Sequence, residues 1–561
     1  MKIIIGPVLC LMSLFAQEDP ATLPARSQAR SMTATTYGIV ATSQTLASAA
    51  GAKVLESGGN AIDAAIAANA VLGLVEPTGN GIGGDLFAIV YEAKTGSLHG
   101  LNASGWAPSG LTPALLKSKG ETKMPEMGIH SVTVPGAVAG WDALHRKFGK
   151  LPWATLFRPA IHYATEGFPV TELIGMGWEA SILKKLSDAP HFLVKGKAPQ
   201  QGEMFRNPDL AASLNAIALQ GKSAFYEGAI AKALLAASTK LGGTFTAADL
   251  AEYVAEWVEP ISTTYRGWTI AELPPNGQGL AALSMLNIME RFPLAEFGPL
   301  SAKSLHVMIE AKKLAYSDLL RYVGDPRFSK VPVQALISKE LAGERAKQID
   351  PERAAPAVIP SELTLLSRLP GADTIYLSVV DREGNMVSLI QSNYQGFGSG
   401  VVPPGAGFML QNRGALFTLE PDQPNTLTPR KRPLHTIIPG FMSKGDTRIA
   451  FGIMGGWNQA QAHAQFVSDI VDFGMNIQAA LEAPRFYHPK FEGQNVYLEG
   501  RTPAGVIPEL TAKGHAVTTL GAYSGAVGGG QAVLRNSAGV NFGASDPRKD
   551  GAAIPQSPNF R

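Results

Sequence analysis

One stretch constrains the chain more than any other: DTIYLSVVDREGNMVSLIQSNYQGFGSG, residues 373–400. Thr374, Ile375, Tyr376, Leu377, Ser378, Val379 and Val380 are mostly β-branched, aromatic or apolar. Asp381-Arg382-Glu383-Gly384-Asn385 is turn chemistry, and residues 386–392 form a second, largely apolar run. Two such runs around a polar, glycine-containing turn predict a β-hairpin. Symmetry about Glu383 places Thr374 opposite Ser392. The upstream segment, residues 354–371, is rich in Pro and Ala and irregular. If the Asp373–Thr374 bond is cut, Thr374 becomes an N-terminus, and its amine can act as base for its own hydroxyl.

The rest of the chain is large enough to build layers around such a hairpin. At 561 residues it exceeds one small core. With 45% hydrophobic and 17% charged residues, it reads as globular throughout. The net charge of +2 gives no reason to expect a nucleic acid or an anionic membrane as partner. The single cysteine, Cys10, lies in an N-terminal apolar run. Residues 1–16 (Lys2, then an apolar stretch, then Ala16) read as a signal peptide, too short for a stable membrane span. A lipoprotein or a buried first strand are the alternative readings. The expected location is periplasmic or secreted, with a cysteine-free mature chain.

Along the chain, helices are expected over residues 45–57 and 60–74, the latter capped by Asn60 with Asp63 three positions on. Gly79-Asn80-Gly81-Ile82-Gly83-Gly84 matches G-x-G-x-x-G, but it follows a helix and precedes a strand. A dinucleotide fingerprint needs the reverse order, so a tight helix-to-strand turn is the reading. Residues 403–414 suggest turn, strand, turn, and strands are expected at 437–441 and 448–451. By its charge, Arg430-Lys431-Arg432 reads as a solvated loop. No Walker A, H-E-x-x-H or G-x-S-x-G pattern occurs. The ten histidines do not cluster in sequence, so neither a metal nor a cofactor is expected.

The residues around Thr374 resemble the gamma-glutamyltransferase family of N-terminal-nucleophile hydrolases, whose segment reads T-[TI]-x-x-[SL]-V-V-D-x-x-G-N-x-V-S. Further blocks match in order: residues 54–65, Val75-Glu76-Pro77, Gly81-Ile82-Gly83-Gly84-Asp85, Val134-Pro135-Gly136, Pro274-Pro275, residues 322–326, residues 397–400 and residues 544–548. The resemblance spans about residues 38–555. It implies an α+β fold, a four-layer αββα sandwich. It implies autocleavage between Asp373 and Thr374, giving a large subunit (17–373) and a small one (374–561) from one precursor. Thr374 is then the nucleophile, Ser392 steers it, and Gly455 and Gly456 supply oxyanion-hole N–H groups. The partner is a small-molecule amide. A substrate-binding asparagine of the family falls on Tyr394, next to Asn393.

The recognition residues depart from the family. Its glutathione-active members carry an arginine in D-F-R-E-x-A-P, and here Ser104 takes that place. Their aspartate for the substrate amine becomes Leu416, and their serine pair becomes His435-Thr436. A zwitterionic head group needs a charge on each side to offset its desolvation. Altered specificity is therefore expected. Arg413 or the 430–432 run are the candidate replacements for a carboxylate anchor. The competing readings are glutathione-type hydrolysis, a cephalosporin-acylase-like acylase, and a non-catalytic periplasmic binding protein.

Overall fold

A computed structural model describes residues 26–182, 190–358, 374–490 and 493–558. The expected signal peptide and Asp373 lie outside the described residues. Thr374 opens the central hairpin, whose strands are Ile375–Val380 and Met386–Ser392. They pair antiparallel, with Ile375 opposite Gln391 and Val380 opposite Met386, so the register is the symmetric one.

The hairpin sits in the middle of a seven-stranded sheet. In order, the strands are Ala552–Pro555, Ile39–Thr42, the two hairpin strands, Asp85–Glu92, Ser97–Ala103 and Glu256–Val258. A second seven-stranded sheet runs Thr33–Thr35, Asn541–Ser545, Gly530–Arg535, Thr447–Ile453, Gly440–Lys444, Trp268–Glu272 and Ile261–Tyr265. Neighbouring strands are antiparallel throughout both sheets.

Strand alternation decides the layers. Ile375, Leu377, Val379, Val387 and Leu389 face helices Thr45–Glu56 and Ala61–Val75 in one apolar core. Tyr376, Val380, Met386 and Ile390 face the other way, into a core shared with Phe441, Ala450 and Val533 of the second sheet. That sheet is covered in turn by helices Gly279–Met289, Ala302–Tyr322 and Gln459–Val471. The result is the αββα sandwich. Both hairpin faces are buried, which explains its nearly unbroken apolar runs. Each such Val, Leu or Ile contributes roughly 1.5–3 kcal/mol by leaving water.

The turn is tied to the helix layer. Asp381 accepts from the Asn385 N–H at 2.9 Å and from the Ala61 N–H at 3.1 Å, at the start of helix Ala61–Val75. Asn60 and Asp63 cap the same end reciprocally. Two expected strands differ. Residues 403–412 run as irregular chain before a short 3-10 turn, Arg413–Leu416, and the strand expected from residue 437 begins only at Gly440. The reason is tertiary: the Leu410 N–H bonds to Val401 and the Gln411 N–H to Gly83, so no strand ladder forms there.

Candidate active site

Thr374 and Ser392 are even-numbered, like Tyr376 and Ile390, and so lie on the face between the sheets. Their hydroxyl oxygens are 3.1 Å apart, and both residues are fully buried. The Ser392 hydroxyl also accepts from the Tyr394 N–H at 2.8 Å. Tyr394 has φ +77, a left-handed backbone that costs a bulky residue energy and persists where its surroundings enforce it. The strand ends at Ser392, so face alternation no longer applies to Asn393 and Tyr394. Asn393 is buried, and its side-chain amide has no hydrogen-bond partner on either atom.

The glycine-rich turn is the helix-to-strand turn expected, and it has a second purpose. A Cβ on Gly79 would lie 3.2 Å from the Thr374 nitrogen, and one on Gly84 only 2.5 Å from the Ser392 carbonyl oxygen. Bare backbone lets this turn close over the head of the hairpin.

Asp85, directly after that turn, stands opposite Ser392 in the next strand. Its carboxylate accepts from the Gly105 N–H (3.0 Å), Gln411 Nε2 (2.9 Å) and His435 Nε2 (2.7 Å), and lies 3.4 Å from Arg413 Nε. Burial and the nearby Arg413 cation push His435 down to about 4, so a neutral imidazole donates to Asp85. Its Nδ1 is then free to accept from the Ile437 N–H at 3.3 Å. Arg413 is fully buried and bonds Thr436 Oγ1 at 2.7 Å, with its guanidinium over the Tyr394 ring at 4.6 Å. Burial pulls Arg413 down to about 10, which leaves it charged at neutral pH. Its Nε meets only Asp85, at 3.4 Å, and its terminal nitrogen Nη2 has no hydrogen-bond acceptor. Buried donors of this kind are rare.

Gly455 and Gly456 follow strand Thr447–Ile453, with φ +126 and +59, at the start of a short 3-10 helix, where N–H groups have no intrahelical acceptor. This strand faces the hairpin: a Cβ on Gly452 would strike the Tyr376 ring. Gln278 Nε2 donates to both the Thr436 and the Gly456 carbonyls, so one amide ties the Arg413 side of the site to the glycine pair.

Ser104 is buried and bonds Asn102 Oδ1 at 2.8 Å, within a polar group that includes Asn276. Leu416 is buried in the apolar cluster of Tyr394 and Trp457. The basic run is not a solvated loop. Lys431 and Arg432 are buried, with Arg432 donating to the Ser104 carbonyl at 3.0 Å and to Glu256 at 2.7 Å. Its partners are hundreds of residues away in sequence, so charge alone could not reveal them. Asp85 and Gln278 were the residues that motif reading missed. The one available signal was Asp85 closing the glycine-rich block.

Two antiparallel sheets between helix layers, with a threonine heading a central hairpin, define an N-terminal-nucleophile hydrolase. The model of the gamma-glutamyltranspeptidase family matches residues 47–556, and the chain belongs to that family. It is 38% identical over 520 residues to the glutathione hydrolase-like YwrD proenzyme of Bacillus subtilis, covering 91% of this chain and 96% of the relative. It is 36% identical to an oxamate amidohydrolase proenzyme of Klebsiella pneumoniae, covering 92% and 98%. Among solved structures, cephalosporin acylase from Bacillus halodurans superposes with a TM-score of 0.89 at 42% identity, covering 99% of this chain and all of that one.

Proposed function

We propose that this chain is a self-cleaving threonine amidohydrolase that works through an acyl-Thr374 intermediate. The observation that carries the reading is the 3.1 Å contact between the Thr374 and Ser392 hydroxyls at the head of the hairpin. In maturation, Thr374 Oγ1 attacks the Asp373 carbonyl. The acyl group shifts from nitrogen to oxygen, and water hydrolyses the ester. Subunits 17–373 and 374–561 stay associated through the shared sheets. The freed α-amine then takes the Thr374 proton as the hydroxyl attacks a substrate amide. Gly455 and Gly456 N–H groups receive the developing oxyanion, and as it collapses the C–N bond breaks, the α-ammonium gives its proton to the departing amine, and acyl-Thr374 remains. Water releases the acyl group, with transfer to an amine as the minor route. The mature protein acts in the periplasm or outside the cell. No described helix is long and apolar enough to cross a membrane.

For the substrate, we infer an acyl group that bears a carboxylate but no α-ammonium. Arg413 offers buried N–H donors that lack an acceptor, while Leu416 presents hydrocarbon where an ammonium would need a charge. Relatives named for oxamate and for cephalosporin are compatible with this, and a zwitterionic γ-glutamyl group such as that of glutathione is the weaker reading. Denaturing electrophoresis tests the first part: two bands for the native chain and one for Thr374→Ala. One unsplit band for both returns the chain to a binding role. A panel of amides tests the second. Monoamides of dicarboxylic acids should be cleaved faster than γ-glutamyl amides, and equal or faster glutathione cleavage overturns the substrate inference.

A further inference from the structure

Three residues that share no sequence motif meet on the outer side of the second sheet. His306 and Glu310 lie one turn apart on helix Ala302–Tyr322, and His515 immediately precedes strand Ala516–Leu520. All three are buried, and one ligand atom of each lies within 4.8 Å of the others. We propose that His306, Glu310 and His515 bind a divalent transition metal of the zinc class.

The hydrogen-bond directions favour it. His306 Nε2 lies 2.8 Å from the Asp350 carbonyl, which can only accept, so Nε2 carries the proton and Nδ1 has a lone pair. This is the outer-shell bond that orients metal-binding imidazoles. His306 Nδ1 is 2.8 Å from His515 Nε2, which in turn is 3.9 Å from Glu310 Oε1. These separations bracket the spacing of about 3.3 Å expected between two ligands of a tetrahedral zinc. Without metal, His515 Nε2 must hold the proton shared between the rings. Its Nδ1 has no hydrogen-bond partner. On metal binding that proton moves to Nδ1, and Nε2 becomes the second nitrogen ligand. Glu310 supplies the oxygen. It also meets Lys313 Nζ at 2.7 Å and the Ala355 N–H at 3.2 Å, and a carboxylate retains lone pairs beyond these two. The Lys313 ammonium weakens the site without closing it. A cavity of about 480 Å³, lined in part by Glu310, Ala355 and Val358, reaches the Glu310 side of the cluster.

His306 and Glu310 precede Thr374 and His515 follows it, so on the cleavage reading the metal would pin the two subunits together. Metal binding itself does not need cleavage, and the test uses untagged Thr374→Ala chain as well as native protein. Each is stripped with chelator, incubated with Zn²⁺ and desalted. The expected result is one zinc per chain, a raised melting temperature, and visible absorption bands when Co²⁺ replaces zinc. His515→Gln and Glu310→Gln should weaken binding at least tenfold, and Lys313→Gln should tighten it. The site is overturned if wild-type chain retains no zinc and gives no Co²⁺ bands, or if His515→Gln binds as wild type does. Should His515→Gln fail to fold, the wild-type Co²⁺ spectrum decides: bands of a nitrogen-ligated ion support the site, and those of the hydrated ion overturn it.

Discussion

Arg413 and Asp85 form a buried ion pair at 3.4 Å whose carboxylate is already taken by three other donors. Asp85 therefore orients and partly neutralises the guanidinium but cannot satisfy it. Asp85→Asn would leave Arg413 as an uncompensated buried cation. Breaking a buried pair this way costs about 3–5 kcal/mol. Urea unfolding should show a loss of that order, with the midpoint shifted far more than the slope.

Ser392→Ala removes the hydroxyl beside Thr374 and strands the buried Tyr394 N–H. An unsatisfied buried donor costs about 1–3 kcal/mol. With a loss of that size expressed in the reaction, kcat falls about fivefold to 160-fold. Ser392→Thr keeps the hydroxyl and should keep most of the rate. Steady-state kinetics on the two variants, with KM followed separately, checks this.

His435 links the site to pH. Its folded value, about 4, lies below the ordinary 6.5 because burial and Arg413 disfavour the imidazolium. Between these values the unfolded chain binds the extra proton. Its contribution to stability is thus complete above pH 6.5 and is lost as pH falls towards 4, at up to about 1.4 kcal/mol per pH unit. The pH dependence of unfolding should be flatter in His435→Gln over that window than in wild type.

Gly84→Ala drives a methyl group to 2.5 Å from the Ser392 carbonyl, backbone against backbone. Strands Met386–Ser392 and Asp85–Glu92 must separate at this end, so a loss of about 1–3 kcal/mol is expected together with impaired cleavage at Thr374. Gly177→Ala, in helix Glu172–Ile182 with open space around it, should be neutral or slightly stabilising. Thermal melts of the pair, with band patterns on denaturing gels, separate the outcomes.

Much of the frame could be read directly. Two largely apolar runs flank the polar five-residue turn of residues 381–385, and symmetry about Glu383 gives the hairpin register that the strands adopt. The Asn60–Asp63 cap and the glycine turn are local signals and were equally legible. Irregular segments were not: Phe408, Met409 and Leu410 read as a strand between two turns, but the Leu410 and Gln411 N–H groups bond to Val401 and Gly83. Arg432 looked solvated because its partners, the Ser104 carbonyl and Glu256, come from distant elements.

The amino-acid sequence by itself therefore determined the hairpin, the placement of Thr374 opposite Ser392 and the family, since each rests on a local strand-and-turn pattern or on ordered blocks. Only the tertiary structure decided what surrounds them. Asp85, Gln278, Arg413 and His435 are spread over some 350 positions and meet because two sheets stack face to face, as His306, Glu310 and His515 meet outside them. Hydrogen bonds and ion pairs act over a few ångströms in space, and no spacing along the chain encodes which distant groups the layers will press together.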